Sequence, residues 1–112
     1  MIIEQIKQAN KQAGNHFFEP ATMNFFNSRI LQKVISNKTK EKFYFVTSEK
    51  CPLIANSPRL YTIRIFTKDG NIDMIGEFQS YKYSYQAYKA IEKIIKEEQK
   101  KWNYNFLASS KL

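Results

Sequence analysis

The stretch RLYTIRIFTKDGNIDMIGEF, residues 59–78, decides the fold of this chain. In residues 59–67 and again in 71–78 the side chains fall into two alternating sets, which is the period of a β-strand. Asp69-Gly70, between the two segments, is a dipeptide preferred where a hairpin turn needs a positive φ. The stretch therefore predicts two antiparallel strands joined by a tight turn.

The residues before this hairpin predict one or two further strands. KFYFVTS, residues 42–48, is β-branched and aromatic with apolar side chains on both faces, so we expect a central strand. Residues 49–58 contain two prolines and no period, which indicates a loop. Residues 30–35 fit either a strand or a continued helix, and a polar turn follows at 36–40. The sheet is thus expected to have three or four antiparallel strands.

Two short helices are predicted before the sheet. Residues 2–13 carry an apolar stripe of isoleucines and alanines, and Gly14 follows as the expected residue beyond the helix end. A second helix is expected from Pro20 to about residue 29, because proline suits the first turn. Its stripe of Met23, Phe26 and Ile30 indicates that the aromatic side chains of this region are mostly structural.

The last predicted element is a long amphipathic helix. Ser84 is a suitable N-cap, and one apolar stripe follows, formed by Ala87, Tyr88, Ile91, Ile94 and Ile95. The class is α+β, with two short N-terminal helices, a three- or four-stranded antiparallel sheet and the long C-terminal helix packed on one face. The length of 112 residues fits one domain, predicted at 1–102, with 103–112 as a C-terminal tail.

The composition favours a polyanionic partner and an intracellular location. Eighteen Lys and Arg against ten Asp and Glu give a formal net charge of +8, which attracts nucleic acid or an acidic protein surface. A solvated basic surface that only aids solubility fits the same charge equally well. A single cysteine, Cys51, excludes an intramolecular disulfide. The sequence has neither a signal-peptide pattern nor a long apolar run, so we expect a cytoplasmic protein with no membrane contact.

The sequence gives little support for a catalytic site or a metal site. His16 is the only histidine, and Glu19 nearby could orient it as a general base, but no nucleophile accompanies it. His16 is more simply explained as a support for the second helix. His16 and Cys51 are too few for a zinc site, and three glycines do not make a phosphate-binding loop. We expect a protein that is not an enzyme and has no cofactor.

The remaining signal is an alternation of aromatic and basic side chains, at Arg59, Tyr61 and Arg64 and again in SYKYSYQAYK, residues 80–89. Such side chains stack bases and neutralise phosphates, although tyrosines also lie at junctions of sheet and helix with wet hydroxyls. The exit of the second helix, where Asn27 and Arg29 lie, is expected either to bond residues 47–49 or to face a partner. The predicted contacts to nucleic acid or another partner are Arg59, Tyr61, Arg64, Lys68, Lys82, Tyr83, Lys89, Asn27 and Arg29.

The order of strands and helix, with GEFQSYKYSYQAYKAI at the helix start, resembles small DNA-binding domains with a three-stranded sheet and a helix, of the plant ethylene-response and phage integrase arm-binding type. The resemblance covers roughly residues 42–98 and implies that a sheet face with Arg59, Arg64 and Lys68 enters the major groove. The order is also similar to the double-stranded RNA-binding domain, whose basic helix-start motif is missing here.

A broader resemblance covers roughly residues 15–97. HFFEPATMNFFNSRI, FYFVTSE, PRLYTIRIF and GEFQSY resemble an uncharacterised family of small proteins encoded by bacteriophages, plasmids and other mobile elements. The resemblance carries no catalytic residue and implies an accessory protein that binds DNA or blocks a host defence protein.

Two hypotheses follow from the sequence. The first is non-enzymatic binding of nucleic acid or a nucleoprotein complex through the sheet face and residues 59–68. The alternative is a protein-binding inhibitor of a host defence system, of the anti-CRISPR or anti-restriction type, in which residues 15–30 or the basic surface dock onto a host nucleic-acid-processing protein. Oligomeric state does not follow from either hypothesis.

Overall fold

In a computed structural model of the chain, residues 2–14, 18–50 and 56–110 are described, with side chains up to residue 100. The fold is α+β, as the sequence predicts. Two helices come first, then four strands, then a third helix. Their bounds are α1 Ile2–Gly14, α2 Pro20–Ser28, β1 Ile35–Ser36, β2 Lys42–Glu49, β3 Leu60–Thr67, β4 Ile72–Ile75 and α3 Ser84–Ser110.

The four strands form an antiparallel meander in the order β1-β2-β3-β4. β2 and β3 pair along their full length, from Lys42 opposite Thr67 to Glu49 opposite Leu60. The prediction that residues 42–48 form a central strand is confirmed. Both outer strands are short, at two and four residues, which limits the unpaired backbone that an edge presents.

The hairpin of residues 59–78 has the predicted turn. Gly70 has φ +91°, its amide donates to the Thr67 carbonyl at 2.9 Å, and the Thr67 amide donates to the Asn71 carbonyl at 3.0 Å. This is a three-residue loop with glycine in the left-handed position. The second strand ends earlier than predicted, at Ile75, because Gly76 adopts φ +74° and turns the chain out of the ladder.

The ambiguous segment 30–35 is neither a continued helix nor a full strand. Ile30 makes an isolated bridge to Thr47, and the Leu31 amide donates to the Val46 carbonyl at 2.9 Å before the chain reaches β1. The Ser48 amide donates to the Arg29 carbonyl at 3.1 Å. The exit of α2 is therefore bonded to residues 46–48, one of the two outcomes expected from the sequence.

Helices lie against both faces of the sheet. On one face, Ala87 and Ile91 of α3 pack on Val46, Ile63 and Tyr44. The opposite face is covered by α1 with the help of the α2 exit, in a cluster formed by Ile6, Ile30, Phe45 and Phe66. Each fully buried Ile or Phe contributes roughly 1.5–3 kcal/mol. The C-terminal helix packs on one face, as predicted, and the other face is covered as well.

Amide side chains and a glycine hold α1 against α2. Asn27 Nδ2 donates to the Lys7 carbonyl at 3.0 Å, and Asn10 Nδ2 donates to Asn27 Oδ1 at 2.9 Å. Gly14 is the last residue of α1, where a Cβ atom would clash with Sδ of the buried Met23. Gly14 thus allows the close approach of the two helices.

The start of α3 differs from the prediction by one residue. The Tyr83 carbonyl accepts from the amides of Gln86 and Ala87, and Gln86 Oε1 accepts from the Tyr83 amide at 3.3 Å. Tyr83 is therefore the N-cap, and Ser84 is the first helical residue. The side chain of Gln86 makes the reciprocal half of a capping box, so a serine is not needed at the cap.

Glu98 anchors the far part of α3 to the sheet. Its carboxylate accepts from Lys42 Nζ at 3.2 Å and from the Tyr44 hydroxyl at 3.2 Å. Burial on its own would raise the pKa of Glu98, but hydrogen bonds from Lys42, Tyr44 and Asn37 and the charge of Lys42 hold it below its usual value. Burial, followed by the charge of Glu98, raises the pKa of Tyr44 to about 12. The expected division of the chain into a domain at residues 1–102 and a tail at 103–112 stays a prediction.

Candidate functional site

A cleft of about 780 Å³ opens between α2, the adjoining ends of β2 and β3, and residues 78–79. We call it the phenylalanine cleft, because Phe18, Phe25, Phe26 and Phe78 line it with rings that are all exposed. Phe25 is 55% exposed and Phe78 is 53% exposed. Phe18 and Phe26 meet edge-to-face, with ring centroids 5.3 Å apart.

This cleft corrects the interpretation of residues 15–30 as mostly structural. Met23 and Ile30 are buried, as the apolar stripe predicts, but Phe26 between them is 39% exposed. The reason is that the apolar side chains of α2 cover more of the helix surface than α1 and the sheet bury. Phe25 and Phe26 therefore extend the apolar surface beyond the core and into the cleft.

A network of polar side chains lies at the sheet end of the cleft. Arg64 Nε donates to Thr47 Oγ1 at 3.0 Å, and an Nη atom of Arg64 lies 3.5 Å from Glu49 Oε1. Thr62 Oγ1 donates to the other carboxylate oxygen of Glu49 at 3.0 Å. These four side chains share the α1 face of the sheet because strand residues two apart point the same way. The charge of Arg64 is thus largely matched inside the protein.

Two other guanidinium groups at the cleft are not matched in this way. Arg59 donates to Ser48 Oγ at 3.1 Å, and Arg29 lies 4.9 Å from the ring centroid of Phe25, one helical turn away. Within the described ranges, neither arginine has a carboxylate partner. Among the described residues that line the cleft there are four cations, Arg29, Lys50, Arg59 and Arg64, and one carboxylate, Glu49, so these residues carry a formal charge of +3.

A second aromatic and basic region lies around the start of α3. Tyr83 and Tyr85 stack with ring centroids 5.6 Å apart and an angle of 15° between their planes. They are 47% and 57% exposed. Lys82 Nζ lies 5.7 Å from the ring centroid of Tyr83, and Lys89 Nζ lies 5.9 Å from that of Tyr85. We call these four side chains, with Lys33 and Tyr88, the tyrosine–lysine surface.

The local sequence explains this surface. Tyr85 and Lys89 are four residues apart on α3 and so lie on one side of the helix. Lys33 Nζ lies 5.1 Å from the ring centroid of Tyr88, whose hydroxyl donates to the Lys33 carbonyl at 3.0 Å. No acidic residue occurs between Gln79 and Ile91, so the positive end of the helix is not neutralised from within this segment.

The predicted partner residues are divided among several places. Arg29, Arg59 and Arg64 meet at the phenylalanine cleft, and Lys82, Tyr83 and Lys89 belong to the tyrosine–lysine surface. Tyr61 packs on the α3 side of the sheet, opposite to Arg64. Asn27 is bonded between α1 and α2.

Lys68 is separated from the arginines. It follows the last residue of β3, whereas Arg59 precedes the first, so they lie roughly 25–30 Å apart along the strand. His16 and Cys51, the two side chains considered for catalysis or metal binding and not favoured for either, lie outside the described residues.

The predicted contact residues include neither Tyr85 nor Lys33 nor the exposed phenylalanines, although Phe18, Phe25 and Phe26 lie within residues 15–30, which the alternative hypothesis names as a docking region. Tyr85 could have been found, because it lies inside SYKYSYQAYK and is spaced by four from Lys89. The phenylalanine cleft could not, since its lining comes from several separate segments of the chain.

Neither surface has the ligands of a metal centre. In the part of the chain that the structure describes, no three His, Cys, Asp or Glu side chains are grouped closely enough to hold an ion. Among the described helices, none is both long and apolar enough to cross a bilayer.

The comparisons with known proteins give a family and no function. No curated protein and no solved structure matches the chain. The model of a family of unknown function (DUF7447) matches residues 2–92, which include α1, α2, all four strands and the start of α3. The chain belongs to this family of unknown function.

Proposed function

We propose that the protein binds single-stranded nucleic acid through the tyrosine–lysine surface and does so without catalysing a reaction. The observation that carries this proposal is the stacked pair Tyr83–Tyr85, with the ammonium groups of Lys82 and Lys89 close to its rings. Exposed rings supply platforms on which bases stack, and neighbouring cations meet the phosphates. The formal net charge of +8 adds long-range attraction for a polyanion.

The cations on this surface can reach a phosphate without breaking an ion pair. Lys82, Lys89 and Lys33 contact aromatic rings, and none of them has a carboxylate partner in the described ranges. An exposed cation–π contact is worth about 0.5–1 kcal/mol, so an ammonium group exchanges it for a phosphate at little cost.

A single strand fits this surface better than a duplex. Bases in a duplex are already stacked on each other, whereas an unpaired base can lie on a tyrosine ring. The sheet-face contact expected from the DNA-binding resemblance is less favoured, because α1 and α3 pack on the two faces of the sheet and leave only the end near Arg59 and Arg64 open, at the phenylalanine cleft. The proposal therefore moves the contact from the sheet to the start of α3.

The setting of this function is part of the proposal. The resemblance of residues 15–97 to proteins of phages, plasmids and other mobile elements supports an accessory protein that acts in the cytoplasm of the host cell. Single-stranded intermediates of replication or transfer are the nucleic acids that such an element exposes there. The alternative partner, a host protein, is favoured by the phenylalanine cleft and not by this surface.

The test is fluorescence anisotropy with labelled oligothymidylate and oligouridylate of about 20 nucleotides, longer than the roughly 4–16 nucleotides covered by small single-strand-binding folds. We expect binding that weakens as salt rises. A Lys82→Gln/Lys89→Gln variant removes two phosphate contacts, which lowers the slope of log K against log salt by about 1.4. Tyr83→Ser/Tyr85→Ser weakens binding by about 1–3 kcal/mol for each base that loses its platform.

A matched variant separates this surface from general charge. Arg29→Gln/Arg59→Gln also removes two positive charges, but at the phenylalanine cleft, and we expect it to change the affinity much less than Lys82→Gln/Lys89→Gln. Equal losses in the two variants, or full affinity in the folded Tyr83→Ser/Tyr85→Ser variant, would show that the tyrosine–lysine surface is not the binding site.

A further inference from the structure

We propose that the phenylalanine cleft is a docking site for an apolar segment of a protein partner that carries carboxylate side chains. This inference concerns a different surface and a different class of partner from the nucleic-acid proposal. It depends on two features of the cleft, its exposed rings and its unmatched guanidinium groups.

The exposed rings form one continuous apolar surface. Phe26 contacts Phe18 edge-to-face at 5.3 Å and Phe25 at 6.2 Å, and Phe78 lines the cleft from the segment after β4. The buried side chains of Phe45 and Ile30 extend this surface into the protein. Connected apolar patches on a folded surface are typical of sites where another protein docks. A concave patch with aromatic walls suits a segment that inserts bulky side chains.

The charge of the cleft decides what else the partner segment carries. Arg29 and Arg59 line the apolar surface and have no carboxylate partner in the described part of the chain. Arg59 is held by hydrogen bonds to the carbonyl and the hydroxyl of Ser48, and Arg29 lies over the ring of Phe25. A guanidinium group that is already held, as that of Arg59 is, can donate two hydrogen bonds to a carboxylate with little further loss of freedom. The complementary ligand therefore combines aliphatic or aromatic side chains with Asp or Glu.

The same features make the cleft a poorer site for nucleic acid. Its rings meet edge-to-face or tilted, by contrast with the nearly parallel rings of Tyr83 and Tyr85. Glu49 lies among the cleft residues and would repel a phosphate that approached it. A peptide can present its carboxylates to Arg29 and Arg59 and its apolar side chains elsewhere, whereas a nucleotide chain carries a charge at every link.

The experiment selects partners by chemistry. A random peptide library displayed on yeast is sorted with the labelled full-length protein at about 0.15 M salt, where long-range attraction is screened, and in the presence of nuclease. We expect enriched peptides to combine bulky apolar residues with Asp or Glu. The enriched peptides are then synthesised, and their Kd values are measured against the wild type and four double variants.

The variants form two matched pairs. Phe25→Ser/Phe78→Ser is expected to weaken binding at least about tenfold, because anchor side chains at interface centres carry most of the affinity. Arg29→Gln/Arg59→Gln is expected to weaken it about threefold to tenfold for acidic peptides and not for variants of those peptides with Gln in place of Glu. Tyr83→Ser/Tyr85→Ser and Lys82→Gln/Lys89→Gln should leave every peptide Kd unchanged.

Each other outcome overturns the proposal. The docking site is wrong if no peptide is enriched, if the enriched peptides lack acidic residues, or if the cleft variants bind them as the wild type does. It is also wrong if the phenylalanine variant abolishes oligothymidylate binding, since the cleft would then be the nucleic-acid site. Because both rings are more than half exposed, the single variants Phe25→Ser and Phe78→Ser are folded controls that report on the two sides of the cleft.

Discussion

The two aromatic and basic surfaces of this protein use similar residue types in opposite ways. At the tyrosine–lysine surface, two flat rings stack in parallel, and flexible ammonium groups lie near them. At the phenylalanine cleft, the rings meet at steep angles around a hollow, and guanidinium groups are held by hydrogen bonds or by a ring. Flat rings with mobile cations suit a flexible polyanion, whereas a hollow with fixed cations suits a shaped apolar segment.

Truncating one core side chain beneath the phenylalanine cleft should have the largest effect, which is on the free energy of unfolding. Phe45 is 1% exposed and lies between α1 and the sheet, at the base of the phenylalanine cleft. Phe45→Ala is expected to cost about 3–5 kcal/mol of unfolding free energy, a large part of the roughly 5–15 kcal/mol of a typical domain. Urea denaturation followed by circular dichroism measures this. A cost below about 1 kcal/mol would mean that the cluster around Ile6 and Phe66 is not closely packed.

The polar end of the cleft offers a smaller and more specific test. Arg64→Leu leaves Glu49 with one partner fewer in a partly buried site, so we expect a loss of about 1–3 kcal/mol. The double variant Arg64→Leu/Glu49→Gln should recover part of this loss, because it removes the unmatched charge. Thermal unfolding of the wild type, the single variants Arg64→Leu and Glu49→Gln, and the double variant forms the cycle. Additive losses would show that Arg64 and Glu49 do not depend on each other.

The two proposals predict that binding to the two surfaces depends on salt concentration to different degrees. With Lys33, Lys82 and Lys89 each meeting one phosphate, oligothymidylate affinity should fall about 20-fold between about 50 and 200 mM salt. Peptide binding to the cleft should fall only about twofold to threefold, because apolar contacts carry it. Anisotropy titrations across this range measure both. Equal salt dependence would remove the distinction between a polyanion site and an apolar docking site.

Alkaline pH tests the attachment of α3 to the sheet. Of the two surfaces, only the tyrosine–lysine surface includes residues of this helix. The pKa of Tyr44 is raised by burial and by Glu98 from its usual 10.0 to about 12. The folded protein thus holds this proton more tightly than the unfolded chain. The resulting stability is complete below pH 10 and is lost as pH rises towards about 12. Tyr44→Phe should remove this loss, and tyrosinate absorbance during titration should lose the tyrosine that ionises last in the wild type. Tyr88, whose pKa burial also raises, stays as the late-ionising group of the variant.

The acid side of the same contact should give the smallest effect. Hydrogen bonds and the charge of Lys42 outweigh burial and hold the pKa of Glu98 below its usual 4.5. Its contribution is therefore present above that value and is lost as pH falls through the lower folded pKa. Glu98→Gln should cost about 0.5–1 kcal/mol at neutral pH, because the pair with Lys42 is partly exposed. Unfolding at pH 7 and near pH 3 measures it, and an equal cost at both would contradict the assignment.

The sequence predicts what depends on neighbouring residues. The hairpin at residues 59–78 follows from alternation and from Gly70, and α3 follows from its apolar stripe. Alternation also separates two of the predicted partner contacts, Tyr61 and Arg64. Residues of opposite parity on a strand point to opposite faces, so Tyr61 and Arg64 could not share one.

Other features depend on what packs against a segment, and periodicity does not report that. The stripe of α2 could not show that the core would bury Met23 and Ile30 but leave Phe26 exposed. The early end of β4 depends on the left-handed conformation of Gly76, which the alternation of residues 71–78 conceals. The phenylalanine cleft assembles from distant segments, so its composition becomes visible only in the folded chain.

The position of α3 after all four strands has a consequence for synthesis. All four strands leave the ribosome before the helix that covers Tyr44, Val46 and Ile63, so the nascent chain presents an uncovered apolar sheet face until residues 84–98 emerge. The α1 side of the sheet can assemble before that point. Because Tyr83, Tyr85 and Lys89 accompany the covering helix, a prematurely terminated product would expose this face and lack the tyrosine–lysine surface.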